Sequence, residues 1–141
     1  MSTFLCVTEC AIKHEDRFLM ITRPEGTHAG GILSFPGGKV DYSDGENAAD
    51  ILVNAVKREV FEELGLQLID PLRYVTSSFF VDTVTERKVL DTIFLCDIKK
   101  TKLTIIPSKR EVAAFHWLTF EEINRHANCP PWLGKYLEKC L

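Results

Sequence analysis

Three glutamates lie on one face of a predicted helix that ends at Leu64, with Gly65 as its left-handed cap. Read at about 100° per residue, Glu59, Glu62 and Glu63 share an arc beside an apolar stripe that is expected to face the core. That stripe consists of Val53, Val56, Val60 and Leu64. Like charges at these spacings repel each other, and the C-terminal end of a helix disfavours negative charge. Hard divalent cations, Mg²⁺ or Mn²⁺, explain such a cluster better than a solvated acidic face does.

A glycine-rich turn precedes this helix. The segment Phe35-Pro36-Gly37-Gly38 contains two adjacent glycines, which allow a backbone to approach a ligand closely and leave carbonyl oxygens free to coordinate a metal. A pair of glycines indicates little by itself. Together with the acidic helix, the turn predicts a loop–helix metal site that can receive phosphate oxygens.

These two segments resemble the Nudix box. The usual pattern is Gly, five residues, Glu, seven residues, then Arg-Glu-apolar-any-Glu-Glu-any-Gly-apolar. The chain carries Gly37-Gly38-Lys39-Val40-Asp41 and, further on, Arg58-Glu59-Val60-Phe61-Glu62-Glu63-Leu64-Gly65-Leu66, in which every fixed position of the second half matches. The resemblance extends over essentially the whole chain. It implies a single Nudix hydrolase domain over residues 1–141 with an α/β fold, a Nudix-type α/β/α sandwich whose mixed central sheet is flanked by helices.

The first half of the box departs from the usual pattern. The stretch from Gly38 to Arg58 is six residues longer than in the standard box. Either Glu46 takes the place of the lone glutamate in a helix extended by roughly one and a half turns, or Asp50 takes it and the extra residues form a longer loop. Both alternatives give Arg58 a carboxylate partner, and the sequence does not decide between them.

By resemblance, the chain is a metal-dependent hydrolase that cleaves the diphosphate linkage of a nucleoside diphosphate linked to another moiety. The resemblance makes Glu59, Glu62 and Glu63 ligands of Mg²⁺ or Mn²⁺, together with the backbone carbonyl of Gly37. It also places Glu59, Glu62 and Arg58 in the catalytic machinery, where Arg58 orients the carboxylates. Bound divalent cations activate the attacking water and neutralise charge on the transferring group.

The general base has candidates outside the helix as well. In the resembled family it is a glutamate of the box or of a later loop, and Glu111 stands where many members carry such a loop glutamate. An ordinary surface carboxylate is the alternative interpretation of Glu111. Glu86, in the polar segment between two predicted strands, is a weaker candidate.

Three residues are candidates for contact with the substrate. Arg23 ends the second predicted strand, where members of the family often place an arginine that contacts phosphate. Lys39 follows the two glycines and is either a second phosphate contact or a solvated lysine. Phe80 is a candidate for stacking on a base, although core packing suits Phe80 and its neighbour Phe79 as well.

The substrate is not determined by the sequence. Spacing markers that distinguish several Nudix subfamilies downstream of the box are missing, so a nucleotide sugar, a CoA-like compound and a (deoxy)nucleoside triphosphate are all compatible. His28-Ala29-Gly30 resembles coenzyme A pyrophosphatases in part. A Nudix-fold nucleotide-binding regulatory module without catalysis is the alternative function. Such a module would normally have lost metal-ligand carboxylates, whereas this chain retains Glu59, Glu62 and Glu63.

The predicted strands flank a central helix, and a last helix follows them. This order of elements predicts a sheet covered by helices. Strands are predicted at about 4–12, 18–21, 72–81, 89–98, 103–106 and 112–117. The acidic helix begins between Glu46 and Ile51. The segment Thr119-Phe120-Glu121-Glu122 is a capping box that opens a short helix, and two prolines precede a last helix at 132–140.

Composition and charge narrow the class of protein. The 141 residues are 45% apolar and 26% charged, which suits one ordinary globular domain. A formal net charge of −3 gives no basic field for a nucleic-acid polymer. No apolar run approaches the ~20 residues of a membrane helix, the N-terminal residues do not resemble a signal peptide, and five widely spaced cysteines suit free thiols. We therefore expect a cytoplasmic protein that acts on a small-molecule nucleotide, with no membrane partner, and a homodimer is left open.

Overall fold

The described residues form a mixed sheet of seven strands with helices on both of its faces. The computed structural model describes residues 3–27, 29–46 and 49–141. The strands are β1 (Leu5–His14), β2 (Arg17–Thr22), β3 (Leu33–Ser34), β4 (Gly37–Lys39), β5 (Leu72–Val81), β6 (Lys88–Asp97) and β7 (Ala114–Thr119). The helices are α1 (Ile51–Leu64), α2 (Phe120–Arg125) and α3 (Leu133–Glu138), and a 3-10 turn spans Tyr42–Gly45.

The sheet combines one parallel pairing with several antiparallel ones. Its strand order is β3-β2-β1-β6-β5, with β4 paired to β1 and β7 paired to β2. Strands β1 and β6 run parallel, with Leu5 opposite Val89 and Lys13 opposite Asp97, whereas the other pairings are antiparallel. The mixed sheet flanked by helices confirms the predicted α/β class.

Successive residues of β1 enter two different cores, because side chains alternate between the faces of a strand. Cys10 and Ile12 pack in the cluster that contains Val56 and Val60 of α1. Ala11 packs in a second cluster, which contains residues of α2 and α3. The sheet is therefore covered by α1 on one face and by α2 and α3 on the other.

Helix α1 buries the predicted stripe. Val56, Val60 and Leu64 are fully buried, and Val53 packs partly buried against the same core. The helix ends as predicted, since Gly65 adopts a left-handed conformation with φ of 63° and donates its N–H to the carbonyl of Phe61 at 2.8 Å. This backbone conformation favours glycine because it has no Cβ to clash.

Two predicted strands differ most from the observed ones, and a tertiary hydrogen bond explains the first difference. The predicted strand 103–106 is not formed, because the N–H of Ile106 donates to the carbonyl of Leu64 at 2.8 Å, at the end of α1. The predicted strand 112–117 begins later, at Ala114, and continues to Thr119. Strands β5 and β6 and the capping box of α2 agree with the predictions within one residue.

The remaining expectations concern cysteines and membranes. All five cysteines are free thiols, as the sequence predicts. Within the described ranges, no helix is long and apolar enough to cross a membrane.

Candidate active site

A cavity of about 880 Å³ opens where β4, the C-terminal half of α1 and the sheet meet. Glu59 and Glu63 line it at the α1 end, next to Gly37 and Gly38. Alternate residues of β1 and β6 line its sheet side, since residues two apart on a strand share a face. These sheet residues are Leu5, Val7, Glu9, Val89 and Asp91.

The two glycines allow β4 to lie close to both β1 and α1. Gly37 lies opposite Glu9 in the β1–β4 ladder and has a φ of 153°, and a Cβ there would collide with the carbonyl oxygen of Thr8. A Cβ on Gly38 would lie 2.6 Å from the carboxyl carbon of Glu59. Any larger residue would therefore separate the turn from the helix carboxylate.

Glu63 is held between the turn and Arg23. Its side chain is 2% exposed. Oε1 accepts the N–H of Gly37 at 2.8 Å, and Oε2 accepts a hydrogen bond from Arg23 at 2.7 Å. Arg23 also donates to the carbonyl oxygen of Gly37 at 3.1 Å. Burial raises the pKa of Glu63 to about 7, against the opposing effect of the Arg23 charge.

Glu59 and Glu62 are held together by Arg58. One guanidinium nitrogen of Arg58 donates to Glu59 at 3.0 Å and to Glu62 at 3.1 Å. Burial raises the pKa of Glu59, Arg58 opposes that rise, and the negative charges of Glu62 and Glu111 add to it. We call Glu59, Glu62 and Glu63 the α1 carboxylates.

Glu111 is brought to this end of the cavity, and Glu86 is not. Glu111 lines the cavity, and its Oε2 is buried without a hydrogen-bond partner. Glu86 is exposed in the turn between β5 and β6 and is not among the residues that line the cavity. The geometry thus separates the two loop glutamates that the sequence singled out.

The carboxylate partner of Arg58 is Asp44, so the prediction that it is Glu46 or Asp50 is wrong. Arg58 forms a bidentate pair with Asp44, Nε to Oδ1 at 2.8 Å and a terminal nitrogen to Oδ2 at 3.1 Å. The Asp44 side chain is 4% exposed, and the hydrogen bond from Arg58 holds its pKa below the usual value.

The position of the additional residues explains why Asp44 takes this place. Helix α1 begins only at Ile51, so it does not extend to Glu46, and Asp50 stands at the N-cap with a φ of 59°. Asp44 lies in the 3-10 turn, six residues after Gly38 as in the usual pattern, and the N–H of Asp41 donates to it at 2.7 Å. The additional residues therefore lie between Asp44 and Arg58. The spacing Asp41-x-x-Asp44 before Gly45 is the sequence signal that would have indicated this turn.

Glu9 and Asp91 are site residues that sequence reasoning missed. Their carboxyl groups are hydrogen-bonded to each other across β1 and β6. Burial is the main cause that raises the pKa of both groups, most strongly that of Glu9. We call these two residues the sheet carboxyl pair. A charged residue between apolar ones on the same strand face, as Glu9 is between Val7 and Ala11, was the available signal.

The three candidates for substrate contact all line the cavity. Arg23 lies at the α1 carboxylates, as described above. Lys39 is exposed, and its backbone carbonyl accepts a hydrogen bond from Arg58 at 2.9 Å. Phe80 is 44% exposed, and its neighbour Phe79 packs edge to face against Phe4. His28 lies outside the described residues.

The α1 end has the donor chemistry of a divalent cation site. Within residues 3–27, 29–46 and 49–141, no three His, Cys, Asp or Glu side chains are gathered as a metal cluster. Arg58 and Arg23 hold the carboxylate oxygens instead. The repulsion between Glu59, Glu62 and Glu111, and the partnerless Oε2 of Glu111, nevertheless fit a hard cation with oxygen ligands.

Comparison with known proteins agrees with this geometry. The NUDIX domain family model matches residues 5–140. The chain therefore belongs to the Nudix family, as one of its pyrophosphohydrolases, and Nudix hydrolases generally use divalent metal ions such as Mg²⁺. The sequence has no significant match among curated proteins.

Solved structures share the fold at low sequence identity. The MutT protein of Methanosarcina mazei Go1 is 23% identical, with a TM-score of 0.77 over 98% of this chain and 93% of the other. The MutT NUDIX hydrolase of Burkholderia pseudomallei is 20% identical, with a TM-score of 0.79 over 99% and 100%. The NUDIX domain of Shewanella oneidensis NrtR, solved with ADP ribose, is 13% identical, with a TM-score of 0.74 over 99% and 90%.

Proposed function

We propose that this chain hydrolyses the diphosphate linkage of a nucleoside diphosphate joined to another moiety, with Mg²⁺ or Mn²⁺. A nucleotide sugar, a CoA-like compound and a (deoxy)nucleoside triphosphate are the candidate substrates. The observation that carries the proposal is that Glu59, Glu63 and Glu111 line one nucleotide-sized cavity together with the Gly37-Gly38 turn. ADP ribose, the ligand of the NrtR domain, is a compound of this class.

The α1 carboxylates and the carbonyl of Gly37 would hold the metal. A bound divalent cation supplies neutralisation of the diphosphate charge and lowers the pKa of the attacking water. Arg58 positions Glu59 and Glu62, because its own guanidinium is fixed by the bidentate pair with Asp44. Arg58 is therefore a positioning residue in this proposal.

Glu111 is the proposed general base. Its carboxyl group lines the cavity and its charge acts on Glu59, which supports a role as acceptor of the proton of the attacking water. Arg23 and Lys39 line the same cavity and would contact the phosphates. Phe80, partly exposed on the cavity wall, would contact the base.

We further propose that the chain forms one domain and acts in the cytoplasm. Five free thiols support a reducing compartment. The family match over 5–140 supports one domain.

The test is a panel of nucleotide sugars, coenzyme A, dinucleoside polyphosphates and deoxynucleoside triphosphates, each with Mg²⁺ and with Mn²⁺. Release of phosphorylated products is measured. Wild type should hydrolyse at least one compound, and Glu62→Gln should slow its turnover at least about 100-fold, because it removes a metal ligand. Glu121→Gln, an exposed glutamate of α2, is the control and should retain the wild-type rate.

Two results would contradict the proposal. If Glu62→Gln and Glu63→Gln both turn over the best substrate at the wild-type rate, the proposed mechanism is wrong. If wild type hydrolyses no compound of the panel but binds one of them, the nucleotide-binding regulatory module is the better description.

A further inference from the structure

The proposed reaction gives no role to Asp91. This residue is 6% exposed and lines the cavity, and its Oδ1 has no hydrogen-bond partner. The hydroxyl of Ser34, on the same cavity, is also buried without a partner. Buried polar atoms are rarely left unpaired, because their desolvation is then uncompensated. A ligand in the cavity that donates hydrogen bonds would satisfy the carboxyl oxygen.

The walls around these polar atoms suit a flat heterocycle. Phe35 and Leu33 are buried on the cavity lining, and Tyr136 of α3 contributes its ring. Trp132 also lines the cavity and is 55% exposed, so its ring can be covered by a ligand. Pockets for small molecules combine such apolar and aromatic walls with a few polar groups that fix orientation.

Glu9 lies between Asp91 and the phosphate end of the cavity, since it is hydrogen-bonded to Asp91 and feels the charges of Arg23 and Glu63. Gly37, beside the α1 carboxylates, is paired with Glu9 in the β1–β4 ladder. Asp91 lies one strand further on, opposite Val7 in the β1–β6 ladder. A nucleotide whose diphosphate lies at Gly37 would therefore extend its base across β1 toward Asp91.

We propose that Asp91 selects the nucleobase of the substrate by accepting a hydrogen bond from an N–H on its Watson–Crick edge. This inference rests on the proposed function, whose substrate class it narrows. Within the sheet carboxyl pair Glu9 is the proton donor, because the shared hydrogen bond raises the pKa of Glu9 and opposes the rise at Asp91. The Asp91 carboxylate is therefore an acceptor only. It therefore favours an edge that carries N–H donors and disfavours one that only accepts.

Three purine nucleotides of equal phosphate content test this selection. Guanine carries a ring N–H and an amino group on the edge, hypoxanthine carries the ring N–H only, and unsubstituted purine carries no donor. We would measure kcat/KM for GTP, ITP and purine riboside triphosphate. Independently of turnover, we would measure the Kd of the three monophosphates in EDTA by Trp132 fluorescence, with binding to the Trp132→Phe variant as control for the second tryptophan.

Wild type should lose about tenfold in kcat/KM and in monophosphate affinity for each donor removed, roughly the effect of one hydrogen bond. In Asp91→Asn, whose amide can donate, the kcat/KM values of the three triphosphates should differ by no more than about threefold. The change should lie in KM, and kcat for purine riboside triphosphate should be retained. Asp16→Asn, the same change in the exposed turn between β1 and β2, is the control and should keep the wild-type series.

Equal affinity of wild type for the three monophosphates, or an equal loss for all three in Asp91→Asn, would overturn the inference. If Asp91→Asn does not fold by circular dichroism, Asp91→Ser is measured in the same way and decides the same question. If none of the triphosphates and none of the earlier panel is hydrolysed, the proposed function fails. The monophosphate series in EDTA still decides the role of Asp91.

Discussion

The two ends of the cavity hold carboxylates in opposite ways. At the α1 end, Glu63 meets Arg23 at 2.7 Å and Asp44 meets Arg58 at 2.8 Å, so each carboxylate faces a fixed positive charge. On the sheet, Glu9 and Asp91 meet each other, and burial raises the pKa of both. At Asp44 the Arg58 hydrogen bond outweighs burial and lowers the pKa. At Glu63, as in the sheet carboxyl pair, burial prevails and raises it.

We interpret the Asp44–Arg58 pair as a rigid framework and the sheet carboxyl pair as a surface that recognises a ligand. Arg58 lowers the pKa of Asp44, so this carboxylate is ionised at neutral pH and fixes the Arg58 side chain. Ionisation of the sheet carboxyl pair opposes folding, because the pKa of both groups is raised. Both groups line the cavity, where a ligand can contact them. Three substitutions, taken from the largest expected effect to the smallest, test whether the two ends differ in this way.

Removing the guanidinium of Arg58 should be the most damaging change. Arg58→Ala leaves Asp44, whose side chain is 4% exposed, without an opposite charge. It also removes the ion pairs that hold Glu59 and Glu62 in place. We expect the free energy of unfolding to fall by roughly 3 kcal/mol, measured by urea denaturation. Activity should fall about 10–100-fold, as when residues that orient metal ligands are lost.

The neighbouring lysine provides the control for this change. Lys57 is exposed on the same helix, so Lys57→Ala should leave the free energy of unfolding within about 0.5 kcal/mol of wild type. Equal stabilities of Arg58→Ala and Lys57→Ala would show that Arg58 is not part of a framework.

Asp44→Asn should have an intermediate effect, because asparagine keeps the shape but loses the charge. The expected loss is about 1–2 kcal/mol at neutral pH. The pKa of Asp44 is lowered in the folded chain, so its stabilisation is present above the ordinary aspartate value of 3.8 and is lost as pH falls through the lower folded value. Urea denaturation at pH 7 and at pH 3 should therefore show a smaller difference from wild type at pH 3.

Glu46→Gln and Asp50→Asn are matched controls from the same segment. Neither residue is the partner of Arg58, so both should stay within about 0.5 kcal/mol of wild type. A loss in either variant as large as in Asp44→Asn would restore the alternatives that the sequence left open.

Glu9→Gln should have the smallest effect, and of opposite sign. The raised pKa of Glu9 means that the folded chain binds more protons than the unfolded chain above the ordinary glutamate value of 4.5, so the stability of wild type falls as pH rises from there toward the folded value. Glutamine removes this loss and can donate to Asp91. We expect a Tm higher by roughly 2–4 °C at pH 8 in thermal unfolding.

Glu15→Gln, in the exposed turn between β1 and β2, is the control for charge alone. Its Tm at pH 8 should equal that of wild type. A Tm of Glu9→Gln that is equal to or below that of wild type at pH 8 would contradict the assignment of the sheet carboxyl pair as a destabilising element.

Most of the elements follow from local patterns in the sequence. The periodic stripe of α1 with its Gly65 cap, the strands β5 and β6, and the Thr119 capping box were predicted from residues within one element. Segment 103–106 was not, because its apolar residues suit a strand, while the hydrogen bond from Ile106 to Leu64 forms only in the folded chain.

The candidate site likewise has parts that local sequence patterns predict and parts that they do not. The α1 carboxylates follow from spacing on one helix, but the pairing of Arg58 with Asp44 depends on how the 3-10 turn folds back, which spacing to Glu46 or Asp50 does not indicate. Glu9 and Asp91 are far apart in sequence and become neighbours through the parallel register of β1 and β6. Strand register of this kind is a property of the whole sheet.

Helix α1 also holds the backbone of Asp44, through the side chain of Asn54. The side chain of Asn54 donates to the carbonyls of Asp44 and Ala49, at 3.0 and 3.2 Å, so α1 binds the segment at two points. Arg58 is held from the turn side, independently of how many residues join Gly45 to Ile51. The pairing of Arg58 with Asp44 therefore needs no fixed chain length between Gly45 and Ile51, which is compatible with a box six residues longer than usual and an intact second half.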